Sequence, residues 1–169
     1  VSVKRTVVHF LPGIVAVLDE AVFAAPGTIR VRWHPGTPAV PDRHGAFTVA
    51  IDGVTLSGRI VVLDGAPLRL TTGVHHYDPP YDHDRMGNPL PQRGEPFIDA
   101  RVESDRCRIL SLFAVQEVGR EPRPWEGSGT SWCMETAAER IEVQLTGDRL
   151  QVVGLGSGLC LVRAAPATQ

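Results

Sequence analysis

The chain has 169 residues, 43% apolar and 21% charged, the size and composition of one globular domain. Lys and Arg number 17 against 19 Asp and Glu, a formal net charge of −2, which argues against general nucleic-acid or membrane-surface binding, since that wants clustered excess positive charge. No run approaches the roughly 20 uninterrupted apolar residues of a membrane-spanning helix, and three cysteines, Cys107, Cys133 and Cys160, exclude a disulfide-stapled scaffold.

All three cysteines sit in apolar runs and are expected as buried free thiols. No Cys/His zinc spacing occurs. Val1 to Lys4 lack the charged-then-apolar order of a secretory leader. A chain that opens on Val1 and passes at once into strand pattern is expected to be cut from, or processed out of, a longer one. Lys4 is the only lysine and every other basic residue is arginine. Genomic base composition explains that bias. So does a need for the guanidinium fork, which suits carboxylate and sulfate better than an ammonium.

Period-2 alternation runs through the chain, and 3.6-residue periodicity is nearly absent. Residues 3–11 predict a strand with Val7, His9 and Leu11 on one face and Val8 and Phe10 on the other. Pro12-Gly13 predicts a turn into a second strand over 14–20. Residues 28–34 alternate, with Ile29, Val31 and Trp33 inward and Arg30, Arg32 and His34 outward, as in an antiparallel sheet with one wet face. A loop is expected over 35–45. Asp52-Gly53 between alternating runs is a hairpin signal, because a type I′ turn needs positive φ twice.

Strands follow at 59–63 and 68–74, on either side of an Asp64-Gly65 turn. Residues 75–96 read as a long polar, proline-rich loop. Strands are expected at 98–102 and 108–118, then a second long loop over 119–131. Strands at 132–137, 140–145, 150–155 and 159–164 complete the set, with Gly147-Asp148 as a turn. The fold class is therefore all-β: an antiparallel sandwich of about eleven or twelve strands with two long loops. Residues 1–164 form a single domain and 165–169 a frayed tail.

Two loops carry candidate chemistry. The run His75-His76-Tyr77-Asp78-Pro79-Pro80-Tyr81-Asp82-His83-Asp84-Arg85 is dense in imidazole and carboxylate. His76, Asp78 and His83 form a weak candidate set for a divalent metal, the one cofactor the sequence suggests. Pro79-Pro80 extends the backbone and works against a compact clamp, so a solvated loop is the competing reading. The second loop holds Arg123 and Trp125 beside glycines. An exposed indole there can stack on the apolar face of a sugar ring, and the alternative is a Trp tucked beneath its own loop. Tyr77, Tyr81, Arg85, Arg123 and Trp125 are the candidate substrate contacts. The stripe Arg30, Arg32 and His34 either meets a polyanion or is a solvated face.

Nucleophilic catalysis has little support. Gly127-Ser128-Gly129 is not the strand-to-helix nucleophile elbow, and Gly154-Leu155-Gly156-Ser157-Gly158 lacks the helix a dinucleotide fingerprint requires. Asp19 and Glu20 are adjacent on a strand and point to opposite faces.

The opening segment, Lys4-Arg5-Thr6-Val7-Val8-His9-Phe10-Leu11, then Pro12-Gly13, then Ile14-Val15-Ala16-Val17-Leu18-Asp19-Glu20, resembles part of the heparinase II/III-like polysaccharide lyases. There, too, a basic residue precedes an apolar strand, a turn, and a second apolar strand ending in Asp. Ile29-Arg30-Val31-Arg32-Trp33-His34-Pro35 is similar to that family's next strand, and Ile109-Leu110-Ser111-Leu112-Phe113-Ala114-Val115 fits a later one. The resemblance implies the C-terminal β-sheet domain behind a helical toroid, and a parent that cleaves uronic-acid polysaccharides by β-elimination.

It further implies an N-terminal helical domain and an acidic polysaccharide as partners, and a secreted or periplasmic location. The family's catalytic Tyr and His come from the toroid, and its His-x-His-x-Asp motif has no counterpart in this chain. No catalytic residue therefore carries over, and the chain alone is not expected to be active. The alternatives are a free-standing carbohydrate-binding sandwich and a small metal-dependent enzyme built on the 75–85 loop.

Overall fold

In the computed structural model, the Asp52-Gly53 turn forms as its chemistry demands, with φ of 48° and 80°, and joins β3 (Ala46–Ile51) to β4 (Val54–Val62). The structure describes residues 1–11, 13–91, 93–116, 123–136 and 139–155. Among them the other strands are β1 (Ser2–Phe10), β2 (Ile14–Trp33), β5 (Arg69–His76), β6 (Gly94–Gln116), β7 (Glu126–Ser128), β8 (Ser131–Glu135), β9 (Arg140–Thr146) and β10 (Arg149–Gly154). Every pairing is antiparallel, and no helix forms among the described residues. The all-β, sandwich-like class is as expected.

One sheet has the order β1-β2-β6-β4-β3, with β5 also paired to β6; the other runs β10-β9-β8-β7. β4 pairs with the end of β6 at 109–116, and β5 with its start at 94–101, so the two lie in tandem along one edge of β6. β2 lies along the other edge over the whole length.

Two pairs of predicted strands are in fact two long ones. The runs at 14–20 and 28–33 belong to the 20-residue β2, and those at 98–102 and 108–116 to the 23-residue β6; residues 117 and 118 of the expected strand lie outside the described ones. Between Val22 and Gly27 the register slips. Val22 pairs with Arg106 and Gly27 with Ser104, so residues 23–26 face a single residue, Asp105. A bulge bends a strand, and Pro26 falls where a ladder donor is dispensable.

The bend folds the large sheet over itself. Trp33, at the far end of β2, donates its Nε1–H to Ser111 Oγ at 3.1 Å and meets Phe113 edge-on at 4.8 Å. Ser111 pairs in register with Val17, at the near end of β2. Ile29, Val31, Ile98, Ala100 and Val102 thus pack down onto Phe47, Val49, Ile60, Cys107 and Ile109. The opposite face of the near half, with Ala16, Leu18, Leu110 and Leu112, packs on Trp132, Met134, Ile141 and Val143 of the small sheet. Three layers result: the small sheet, the near half of the large sheet, and its far half.

The middle layer is apolar on both faces, so Ile109, Leu110, Ser111 and Leu112 are all buried in succession. A strand covered on both sides reads as a continuous apolar run instead of an alternating one. Of the thiols, Cys107 is buried and Cys133 partly exposed. Burial, with Asp64 and Asp19 nearby, pushes the Cys107 thiol up to about 11, so it stays protonated and unreactive. Cys160 and the strand expected at 159–164 lie outside the described residues.

The expected loops are shorter than their polarity suggested. His75 and His76 continue β5, and Gly94 to Pro96 open β6, which leaves 77–93 as the connection. Part of the second loop becomes β7 and its turn into β8.

Ser111→Ala should leave the Trp33 N–H unpaired between layers and cost about 1–3 kcal/mol. Urea unfolding measures this; a loss below about 0.5 kcal/mol would show that the hydroxyl does not tie the layers.

Candidate functional site

The far half of the large sheet turns its second face outward. Alternation places Thr28, Arg30 and Arg32 of β2 there, beside Glu103, Arg101 and Asp99 of β6, with Phe97 and Glu95 next along β6 and His34 just past the end of β2. Arg69, Thr71, Gly73 and His75 of β5 continue the same face.

Asp99 organises the middle of this surface. It is buried, and accepts from Arg32 Nε at 2.7 Å and Nη2 at 3.0 Å. Arg30 Nε stands 3.3 Å from its second oxygen. The Arg32 hydrogen bonds hold the Asp99 carboxyl below its ordinary value, against the raising effect of burial and with help from the charges of Arg32, Arg30 and His34. Arg32 also lies 4.1 Å from the centre of the Phe97 ring. Beneath, that ring covers Gly73, where an added Cβ would come within 2.6 Å of it. Only glycine lets the ring lie so close to the strand.

At the end of the face, Glu95 joins two elements. Tyr77 donates its hydroxyl to Glu95 Oε1 at 2.6 Å, and His34 Nδ1 is 3.2 Å from Oε2. The hydrogen bond to Glu95, with burial and the Glu95 charge, raises the Tyr77 pKa above 10, so the phenol keeps its proton. His75 stands 6.2 Å from His34, ring to ring. The face thus offers guanidinium groups, two imidazoles, a phenol and an aromatic ring side by side.

The predicted contacts divide. Tyr77 is in this group. Tyr81 is 77% exposed, and Arg85 is exposed, both further out on the 77–93 connection. Arg123 is exposed, and its backbone N–H donates to Gln116 Oε1 at 3.1 Å.

Trp125 is 2% exposed and belongs to the core with Trp132 and Met134. It therefore offers no face to a sugar. A large apolar ring next to a hairpin gains more from the interior than from the surface.

The metal set is not assembled. His76 follows His75 on a strand and so points to the opposite face. His83 Nδ1 is taken by Asp82 Oδ1 at 2.6 Å. Asp78 is exposed, and among the described residues no three His, Cys, Asp or Glu side chains converge. Sequence reasoning missed His75, Glu95, Phe97 and Asp99. Their signal was alternation carried through polar residues, Gly73-x-His75-x-Tyr77 and Glu95-x-Phe97-x-Asp99.

No model of a known family matches the chain, and no curated protein matches it.

Because the folded Asp99 pKa lies below the unfolded value near 3.8, its stabilisation is complete above that pH and is lost as pH falls through the folded value. Asp99→Asn should be less stable than the wild type at neutral pH and should lack this acid-dependent part. Urea midpoints at pH values from about 7 to 3 test it; parallel curves for both proteins would refute the pairing. Trp125→Ala should cost about 3–5 kcal/mol of stability. A variant as stable as the wild type would return the ring to the surface.

Proposed function

We propose that this chain is the β-sheet domain of a heparinase II/III-like polysaccharide lyase, and that it contacts an acidic polysaccharide through the outer face of the far layer. The observation that carries this reading is the gathering of Arg30, Arg32, His34, His75 and Tyr77 on one uncovered face. Along β2, Arg30 and Arg32 stand two residues apart, about 7 Å, and Arg101 and Arg69 continue the row from Arg30 across β6 and β5. A two-dimensional array suits a polymer with repeated acid groups better than one small anion. Asp99 and Glu103 hold the guanidinium groups in place, so fewer rotamers are lost on binding.

The likeness of residues 4–35 to that family supports the parent assignment. Catalysis is assigned to the toroid, and this domain contributes contact. A free-standing binding module is the second reading, favoured because the face is complete within one sheet of this chain.

Titration with heparan sulfate, chondroitin, hyaluronan and alginate should show salt-sensitive binding to at least one, with neutral dextran inert. Arg30→Gln should weaken it about fivefold or more, roughly 1 kcal/mol, and Tyr77→Phe less. The folded chain alone should release no unsaturated uronate. Equal affinity for dextran, or no binding to any of the four, would end the reading. Turnover by the chain alone would move the catalytic residues into it.

A further inference from the structure

At the end of the outer face one carboxylate serves two imidazoles. His34 Nδ1 is 3.2 Å from Glu95 Oε2, and Tyr77 donates to Glu95 Oε1 at 2.6 Å, so both oxygens are engaged. His75 pairs in register with Glu95 from the other side, and its ring centre lies 6.2 Å from that of His34. Both imidazoles are exposed, and the Phe97 ring centre stands 6.5 Å from that of His34. Asp99, further along β6, senses the His34 charge but is held by Arg32 and Arg30. His76 points to the opposite face of β5.

The groups around this pair keep their charges where an imidazole changes its own. Hydrogen bonds from Arg32 hold the Asp99 carboxyl below its ordinary value, and bonds from Arg101 and Thr28 do the same for Glu103. The bond to Glu95 keeps the proton on Tyr77. Guanidinium groups stay charged throughout. Between about pH 8 and 5.5, imidazole is therefore the side chain of this face that titrates.

Along β2, β6 and β5 the face sets Arg30, Arg32, Arg69 and Arg101 against Asp99, Glu103 and Glu95. Four positive charges against three negative leave an excess of one while both imidazoles are neutral, and of three when both are protonated. Arg93, exposed just before β6, takes the Tyr77 N–H on its carbonyl, and its charge is fixed as well.

We propose that protonation of His34 and His75 switches this face from weak to strong binding of acidic polysaccharide, a regulation that rests on the polysaccharide reading above. A proton on His34 meets Glu95. A proton on His75 finds that carboxylate already shared between His34 and Tyr77, and an acid group of the polymer completes its pairing. Protonation and binding therefore favour each other. Affinity rises as pH falls, and binding takes up protons.

The test titrates heparan sulfate, chondroitin, hyaluronan and alginate into the whole chain at about pH 8 and about pH 5.5, in equal salt; the polymers' acid groups stay ionised at both. The polysaccharide that binds should do so about tenfold more tightly at the lower pH, with a steeper dependence on salt. Calorimetry in buffers of different ionisation enthalpy should show net proton uptake at about pH 6.5. His34→Gln together with His75→Gln changes two exposed side chains and should remove the rise and the uptake. His9→Gln, exposed on β1 in the middle layer, should keep both. Circular dichroism confirms that each variant is folded. Equal wild-type affinity at the two pH values, or a folded double variant that keeps the rise, would overturn the switch and leave the polysaccharide reading standing. No binding of any of the four at either pH would end both.

Discussion

Everything in this structure depends on a single bend. Four residues of β2 face one of β6, and the two longest strands turn there together. Without the bend, the far half of the large sheet would be a flat two-faced ribbon with Ile29, Val31, Ile98 and Ala100 in water. With it, those residues cover the near half, and one sheet supplies two of the three layers. The Trp33–Ser111 bond and the Trp33–Phe113 edge contact set how far the halves close. A hydrogen bond matters at this point because Ser111 is wholly buried, and its hydroxyl would otherwise face apolar neighbours.

The bend also decides which surface is available. The near half is covered on both faces, and the far half on one. Its outer face is therefore where paired strands are both rigid and open. Asp99 is the electrostatic centre of that face. A buried carboxylate carries a desolvation cost, which its hydrogen bonds to Arg32 and the Arg30 charge outweigh, and the same pairing orders the surface. It holds Arg32 over Phe97, and Phe97 in turn is seated by Gly73. At the end of the face, Glu95 plays the same part for Tyr77 and His34.

Much of the local structure was legible in the sequence. Alternation placed Ile29, Val31 and Trp33 inward and Arg30, Arg32 and His34 outward, because a strand's side chains must alternate. Asp52-Gly53 and Gly147-Asp148 marked their turns because few residues adopt positive φ. The continuous apolar run near Leu110 was visible, but what covered each face of it was not. Alternation cannot tell a bulge from a strand end, so two bent strands looked like four straight ones. Nor does polarity separate a loop from the wet face of a strand, which hid His75 and Glu95. Whether Trp125 tucks under its loop, and whether His76, Asp78 and His83 converge, was left open for a related reason: adjacency in sequence says nothing of which face a side chain takes after the turn. Sequence determined the strands, their inward faces and their turns, all of which depend on near neighbours. Tertiary structure alone decided that the sheet folds on itself and which face stays open, because both follow from contacts between residues as distant as Trp33 and Ser111.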